Sequence, residues 1–227
     1  MEDYNILANK YAAWHQSVKG ADPYKEELDF LTESANVILD VGCGAGEALA
    51  YLAPHSIFSV GTDISIEMMH IGKKIAVDNS IGNIAFVVAD LDNQPFKKNT
   101  FDYIFSRYAL HHSDLSISLP ELERCLIPGG RLLVRDLVTN FPMFQRFGWW
   151  HALVVFFKIP KRIIKRGFKS LKLFLDLGLD PTWIQHQVEN NLMSPRKFRQ
   201  AYHNLLPGCW FSGKRRNVVH WVSPSSK

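Results

Sequence analysis

The sequence has few cysteines and no apolar run long enough to cross a membrane. Its three cysteines, Cys43, Cys125 and Cys209, are widely separated, so they fit neither a disulfide framework nor a metal-ligand pattern. The opening residues, Met1-Glu2-Asp3, are acidic and do not resemble a secretory leader. The sequence also lacks internal repeats and Ser-, Gly- or Pro-rich linkers. We therefore expect a cytoplasmic protein with a single domain over residues 1–227.

Acidic residues are missing from one long segment, residues 141–175. This segment carries eight basic residues, so the rest of the chain has a net charge of −4 although the whole chain carries +4. The basicity of the protein therefore belongs to this segment and is not spread over the surface.

A glycine-rich loop follows an apolar run at residues 37–46. Glycines at 42, 44 and 46 supply backbone freedom and remove the Cβ atoms that would hold a ligand at a distance. A dinucleotide fingerprint, G-x-G-x-x-G, would place its third glycine at 47, where this chain has Glu47. The loop therefore indicates a nucleotide-like ligand and disfavours a nicotinamide oxidoreductase.

Apolar strands that end in an acid follow this loop at regular intervals. One runs from Ile57 to Val60 and leads to Asp63, and a second begins at Ile84 and ends in Asp90. Two more strands are expected at residues 101–106 and 128–134, with helix-length stretches between them. Such alternation predicts a parallel sheet covered by helices on both faces, with its ligand beyond the carboxyl ends of the strands.

Taken in order, these motifs resemble the class I S-adenosylmethionine-dependent methyltransferases. The resemblance implies a Rossmann-like, seven-stranded and mostly parallel sheet of order 3-2-1-4-5-7-6, with helices on both faces. It covers residues 37–136 through the following elements: Leu39–Gly46, Asp63, Ala89–Leu91, Gln94–Phe96, Phe101-Asp102, Leu110–His112 and Ile127–Arg131. Within the last element, Pro128-Gly129-Gly130 is expected to form a turn that ends a helix before the fifth strand.

The resemblance also assigns the cofactor, S-adenosyl-L-methionine, to particular side chains. Asp63 would accept hydrogen bonds from the two ribose hydroxyls, although a helix N-cap is the alternative interpretation. Asp90 would accept from the adenine amino group, or would be an ordinary turn residue. Asp40 would reach the methionine amino group. The complete expected cofactor set is Asp40, Gly42, Cys43, Gly44, Gly46, Asp63, Ile64, Asp90, Leu91, Ser106 and Tyr11.

His111 and His112 follow the fourth strand, where this family places substrate or base residues. Imidazole exchanges protons near neutral pH, so either histidine is a candidate to take a proton from the methyl acceptor. The alternative is that neither is catalytic, because some acceptors need no base. The other histidines show no ligand spacing, and we expect no metal site.

Two segments lie outside the matched region. Residues 1–30 are expected to form a helical lid that carries Tyr11, and residues 137–193 form an insert after strand five. The insert is aromatic in its first half, and in its second half Ile164, Phe168, Leu171 and Leu175 form an apolar stripe opposite a basic face. Three interpretations remain open for the insert: a cap that packs on the core, a helical segment on an anionic membrane surface, or an RNA-binding surface.

These features predict methyl transfer from S-adenosyl-L-methionine to O, N or C of a small, hydrophobic acceptor by in-line displacement. The alternatives are an RNA (tRNA-type) or protein methyltransferase that uses the basic insert, and a non-catalytic partner subunit that binds the cofactor. The expected partners are a small-molecule acceptor and, through residues 141–175, a membrane surface, with nucleic acid ranked below both.

Overall fold

The computed structural model describes residues 7–8, 10, 12, 24–31, 35–140, 171–172, 174–190, 192–215 and 217–225. The chain divides into two compact units. One comprises Met1–Pro23 and Phe141–Asn191, and the other comprises Tyr24–Asn140 and Leu192–Lys227. The first unit thus combines most of the expected lid with most of the expected insert. Whether the chain acts as one domain stays a prediction.

The second unit is built on a seven-stranded sheet of order β3-β2-β1-β4-β5-β7-β6, which confirms the predicted topology. Its strands are β1 (Ala35–Val41), β2 (Ser56–Asp63), β3 (Ile84–Val88), β4 (Phe101–Arg107), β5 (Leu126–Arg135), β6 (Trp210–Ser212) and β7 (Val218–Val222). Its helices are α1 (Lys25–Phe30), α2 (Glu47–Leu52), α3 (Ile66–Asp78), α4 (Leu115–Cys125) and, late in the chain, α6 (Pro195–Leu205). Helix α5 (Pro181–Glu189) belongs to the first unit.

Strands β1 to β5 pair in parallel, so their carboxyl ends meet at one edge of the sheet. Asp40 of β1 is in register with Gly61 of β2 and with Phe105 of β4. Farther along, Arg107 at the end of β4 is in register with Arg135 at the end of β5. In this sheet β7 alone runs against the other strands, because it pairs antiparallel with both β5 and β6.

Side chains alternate between the two faces of the central strands. Leu39 and Ile104 belong to one apolar cluster, which includes residues of α4 and α6. Their neighbours Ile38 and Tyr103 belong to a second cluster, which includes Leu49 of α2. Burying a side chain of this size contributes about 1.5–3 kcal/mol, so both faces of the sheet are held by their helices.

Serine followed by proline at Ser194-Pro195 predicts an N-cap and a helix start, and the structure confirms it. Helix α6 begins at Pro195 and ends at Leu205, with the Ser194 hydroxyl accepting a hydrogen bond from the Lys197 N–H at 3.3 Å. A proline in the first turn leaves no helical hydrogen bond unmade, which explains this start. The same logic places Pro181 in the first turn of α5, which Asp180 caps through the Thr182 N–H.

The expected Pro128-Gly129-Gly130 turn is wrong. Helix α4 ends at Cys125 and β5 begins at once at Leu126, so the three residues lie inside the strand. The strand continues because Gly129 and Gly130 exchange backbone hydrogen bonds with Ser223, beyond β7. Gly129 has φ 77°, so the sequence was right that glycine is needed here, but the reason is an irregularity within the strand.

Residues 141–170, which include most of the expected aromatic and basic insert, lie outside the described residues. Among the residues that are described, no helix is both long and apolar enough to span a bilayer. Within the first unit, Lys10 forms an ion pair with Asp180, the residue that caps α5. The three interpretations of the insert therefore remain predictions.

Candidate functional site

The glycine loop joins β1 to α2 with three residues in the left-handed region, since Gly42, Gly44 and Gly46 have φ of 69°, 53° and 70°. A Cβ on Gly42 would lie 2.2 Å from the Cβ of Ala109, and one on Gly46 would lie 2.5 Å from the Phe86 ring. A Cβ on Gly44 would meet nothing within 4 Å. The first and third glycines are therefore required by packing, whereas the middle one faces open space.

Asp63 ends β2 next to this open space. Its two carboxylate oxygens accept hydrogen bonds from the backbone N–H groups of Gly44 at 2.9 Å and Ser65 at 3.0 Å. Burial raises the pKa of Asp63, and the backbone N–H donors oppose that shift. Because a carboxylate has about four acceptor positions, both oxygens can accept further donors.

The alternative interpretation of Asp63 as the N-cap of α3 is wrong. Ser65 holds that position, and its hydroxyl accepts a hydrogen bond from the Met68 N–H at 3.2 Å. Asp63 instead ties the glycine loop to the turn that precedes α3. The carboxylate is therefore held in place by two segments of backbone rather than by the helix.

Asp40 is buried, 2% exposed, on the face of the sheet that carries α1 and α2. Burial raises its pKa well above 3.8; the positive charge of Arg107 opposes this shift, and the negative charge of Asp63 adds to it. Two carboxyl groups therefore share one region at the ends of β1 and β2. Such a region favours a positively charged ligand group, which would relieve their mutual repulsion.

An ion network on the same face fixes the ends of β4 and β5. Glu27 of α1 is fully buried and lies 3.0 Å from Arg135 and 3.5 Å from Arg107. Arg135 also pairs with Glu26 at 2.6 Å. The Arg107 guanidinium lies 4.5 Å from the centroid of the Tyr24 ring. Helix α1 thus anchors both strand ends, which the sequence did not reveal because α1 lies outside the recognisable motifs.

Asp90 and Leu91, which follow β3, were both expected to contact the adenine ring, and they differ in their surroundings. Asp90 is exposed and accepts a hydrogen bond from the Asp92 N–H at 3.0 Å, so it does serve the turn that the alternative interpretation gave it. Leu91 approaches the glycine loop, with its Cδ2 3.6 Å from a Cβ built on Gly42. The adenine role of Asp90 stays a prediction.

The other expected cofactor residues serve the backbone of the loop. Ser106 is buried and donates its hydroxyl to the Val41 carbonyl at 2.8 Å. The Cys43 N–H donates to the Thr62 carbonyl at 2.9 Å, and burial raises the pKa of its thiol. Ile64 is half-buried in the turn after β2. Tyr11 lies outside the described residues.

His111 forms a close pair with an acid. Its Nδ1 lies 2.5 Å from Oδ1 of Asp136, which directly follows β5. Both side chains are more than nine-tenths buried. The His112 ring lies against that of His111, with the centroids 4.0 Å apart, and His112 is the exposed member. The sequence gave no signal of this pairing, which depends on how the 107–112 segment turns.

That turn also brings the histidines to the glycine loop. Tyr108 has φ 58°, an uncommon value for a bulky residue, and its N–H donates to the Arg135 carbonyl at 2.7 Å. The next residue, Ala109, packs against Gly42. His111, which pairs with Asp136, therefore lies only two residues after Ala109, the residue that contacts the glycine loop. Within the described chain, no group of three or more His, Cys, Asp or Glu residues could hold a metal ion.

Comparisons with known proteins agree with this geometry. Residues 39–134 match the family model described as a methyltransferase domain. The chain is 33% identical over 129 residues to the uncharacterized methyltransferase YcgJ of Bacillus subtilis. This match covers 54% of this chain and 51% of that protein. It is 28% identical over 219 residues to demethylmenaquinone methyltransferase of Symbiobacterium thermophilum, covering 90% of this chain and 86% of the relative.

A solved structure extends the likeness to the fold. Geranyl diphosphate C-methyltransferase of Streptomyces coelicolor A3(2), crystallised with Mg²⁺, geranyl diphosphate and S-adenosyl-L-homocysteine, superposes with a TM-score of 0.58 at 17% identity. The match covers 84% of this chain and 60% of that one. An identity this low supports the shared fold alone.

The sheet order, the glycine loop and the matched domain together define the class. Residues 39–134 match a methyltransferase domain, and the chain has the fold of the class I S-adenosylmethionine-dependent methyltransferases. The chain spans about half the length of the Bacillus relative.

Proposed function

We propose that the protein transfers a methyl group from S-adenosyl-L-methionine to O, N or C of a small, lipophilic acceptor. The observation that carries this proposal is the Asp63 carboxylate, which the Gly44 and Ser65 N–H groups hold beside the open side of the glycine loop. A carboxylate in this setting suits a ligand with two adjacent hydroxyl groups, as in a ribose.

The surrounding residues fit the rest of the cofactor. Its ammonium and sulfonium groups are positive, and the shared region of Asp40 and Asp63 favours positive charge because the two carboxyl groups repel each other. Leu91 and Ile64 offer apolar contacts for the adenine ring, with Asp90 beside them. Gly44 admits close approach, since nothing lies within 4 Å of its Cβ position.

When bound, the cofactor supplies a methyl group on a positively charged sulfur, which becomes a neutral thioether after transfer. The chain would hold the two reactants together and exclude water, which is where most of the rate arises in such reactions. For an acceptor with an O–H or N–H, Nε2 of His111 would take the proton as the new bond to carbon forms. The imidazolium would then release that proton to water, so charge and atoms balance.

Two features support a lipophilic acceptor. The match to demethylmenaquinone methyltransferase covers 90% of this chain, so it extends beyond the domain that holds the cofactor. The segment 141–157 is rich in Phe and Trp, which suits an apolar acceptor. On the same grounds we propose that residues 141–175 contact an anionic membrane surface, where such a molecule is dissolved.

The cofactor half of the proposal is tested by isothermal titration with S-adenosyl-L-methionine and S-adenosyl-L-homocysteine. Asp63→Ala should weaken binding at least tenfold, since charged hydrogen bonds contribute about 1.5–3 kcal/mol each. Asp78→Ala, which removes an exposed acid at the end of α3, is the matched control and should bind as the parent does. Equal affinity of Asp63→Ala and the parent would refute the site.

The acceptor half is tested by methyl transfer to a demethylated quinone, to tRNA and to a protein extract in parallel. Transfer to the quinone alone supports the proposal, and transfer to tRNA or protein replaces it with the corresponding alternative. Tight cofactor binding without any turnover would identify a non-catalytic partner subunit. Flotation with anionic vesicles tests the membrane contact, which is refuted if the protein stays with the soluble fraction.

A further inference from the structure

The contact between His111 and Asp136 has a consequence beyond the proposed methyl transfer. Their 2.5 Å contact is shielded, because the side chains are 7% and 4% exposed. A carboxylate only accepts hydrogen bonds, so the Nδ1 atom of a neutral His111 must carry the proton. The Nε2 atom is then left with its lone pair free to accept a proton.

Asp136 is itself held by four hydrogen-bonding contacts. Its Oδ1 accepts from the Leu137 N–H at 2.7 Å as well as from His111. Its own N–H donates to the Asn217 carbonyl at 3.1 Å, and its carbonyl accepts from the Asn217 side chain at 2.7 Å. The carboxylate therefore has little freedom to turn away from the imidazole.

The groups that face this pair come from several elements. Tyr202 of α6 is fully buried, its hydroxyl has no hydrogen-bond partner, and the charge of Asp136 helps to raise its pKa. His112 lies against the His111 ring. On the loop side, the Ala109–Gly42 contact fixes the chain two residues before His111.

We propose that Asp136 is a positioning residue that keeps His111 in the Nδ1–H tautomer, with Nε2 directed at an acceptor that must lose a proton. The acceptor class that this arrangement serves is a hydroxyl or an amine, including a phenolic hydroxyl. The catalytic part of this inference rests on the proposed function. The tautomer itself does not, so it can be tested separately.

The tautomer is read from long-range ¹H–¹⁵N spectra of the neutral imidazole rings. The chain has 9 histidines, and the His111 signal is identified as the one that disappears in His111→Gln. The parent should show a protonated Nδ1. Asp136→Leu, similar in shape but unable to accept, should shift the signal to the Nε2–H form or to a mixture. An Nε2–H form in the parent, or no change in Asp136→Leu, overturns the inference.

Asp136→Asn is the conservative variant. The Leu137 N–H should keep the amide oxygen in place, so this oxygen continues to accept from Nδ1 and the tautomer should be retained. If Asp136→Leu does not fold, Asp136→Ala provides the same test, because it also removes the carboxylate that accepts from Nδ1. It should yield the Nε2–H form or a mixture of tautomers, and a pure Nδ1–H form would overturn the inference.

Turnover separates positioning from a purely structural role. Asp136→Leu should lower kcat by about ten- to a hundredfold with KM for the cofactor unchanged, and Asp136→Asn should recover part of the loss. The double variant His111→Gln/Asp136→Leu should be no slower than His111→Gln, because the acid acts only through the imidazole. A further loss in the double variant would refute positioning. If the parent shows no turnover at all, the proposed function fails while the spectra still decide the tautomer.

Discussion

Two glycines of the same loop should respond to alanine differently, one chiefly through stability and the other chiefly through cofactor affinity. Gly42 and Gly44 both have positive φ, so alanine at either carries a backbone cost of about 1–2 kcal/mol. At Gly42 the new methyl would lie 2.2 Å from the Cβ of Ala109. Carbon atoms pack at about 3.5–4.0 Å, so the chain must move by more than about 1 Å. Such overpacking adds about 1–3 kcal/mol, which gives Gly42→Ala a total loss of about 2–5 kcal/mol.

Gly44→Ala has no such clash, because nothing lies within 4 Å of its Cβ position. Its free energy of unfolding should fall by only about 1–2 kcal/mol, the backbone cost alone. The methyl would, however, occupy the space proposed for the cofactor, so the affinity for S-adenosyl-L-homocysteine should fall by at least tenfold. Urea unfolding and isothermal titration of the two variants provide the comparison.

A second substitution tests the assigned cause. Ala109→Gly removes the methyl group that Gly42→Ala would strike, so the double variant should recover most of the overpacking cost and none of the backbone cost. Ala109→Gly alone should cost about 1 kcal/mol, from lost burial and added chain entropy. The reasoning is refuted if Gly42→Ala is no less stable than Gly44→Ala, or if Ala109→Gly fails to restore stability.

Three further substitutions test the supporting contacts. Because burial raises the folded pKa of Asp40 above its ordinary value of 3.8, the folded state binds the proton more tightly than the unfolded state does, and stability is lost as the pH rises from 3.8 through the folded pKa. Without ligand, Asp40→Asn should therefore have a larger free energy of unfolding than the parent at neutral pH, as measured in urea. This difference in stability should shrink as the pH falls toward 3.8, and a difference that does not change with pH would contradict the reasoning. Glu27→Gln should lower the free energy of unfolding by about 3–5 kcal/mol, because it removes the buried carboxylate that Arg107 and Arg135 share. The control Asp29→Asn alters an exposed ion pair on the same helix and should change the free energy of unfolding by less than about 1 kcal/mol. Ser106→Ala should lower stability by about 1 kcal/mol through the lost bond to Val41, with the cofactor affinity nearly unchanged; a large loss of affinity would instead give Ser106 a direct binding role.

The sequence predicts the sheet well because its strongest signals are local. Apolar runs that end in an acid mark β2 and β3, and the Ser194-Pro195 start of α6 is a one-residue match. The predicted turn at Pro128-Gly129-Gly130 was wrong because glycine indicates only that the backbone can adopt unusual dihedral angles, which occur in irregular strands as well as in turns. Here the Ser223 backbone supplies the strand partner, and Ser223 is almost a hundred residues away in the chain.

The site was only partly predictable for the same reason. Asp63 and the glycines could be found because they lie near one another in the chain and belong to an ordered motif. The Glu27 network and the His111–Asp136 pair join residues that are 108 and 25 positions apart, and neither spacing has a periodic signature. Ser65 could have been recognised as the N-cap of α3, since serine before a helix is a standard signal.

Because side chains alternate between the two faces of the sheet, the residues proposed to bind the methyl donor and the residue proposed to orient the base lie on different faces. Asp40 lies on the face of Ile38, with α1 and α2, whereas Asp136 follows the face of Val134, with α4 and α6. The acids that suit a positive donor and the acid that orients His111 are therefore on opposite faces of the sheet, and they meet only at its carboxyl edge. There the Ala109–Gly42 contact holds the histidine segment against the glycine loop. Methyl transfer depends steeply on the alignment of its reactants, so this contact should control kcat although neither residue carries a functional group.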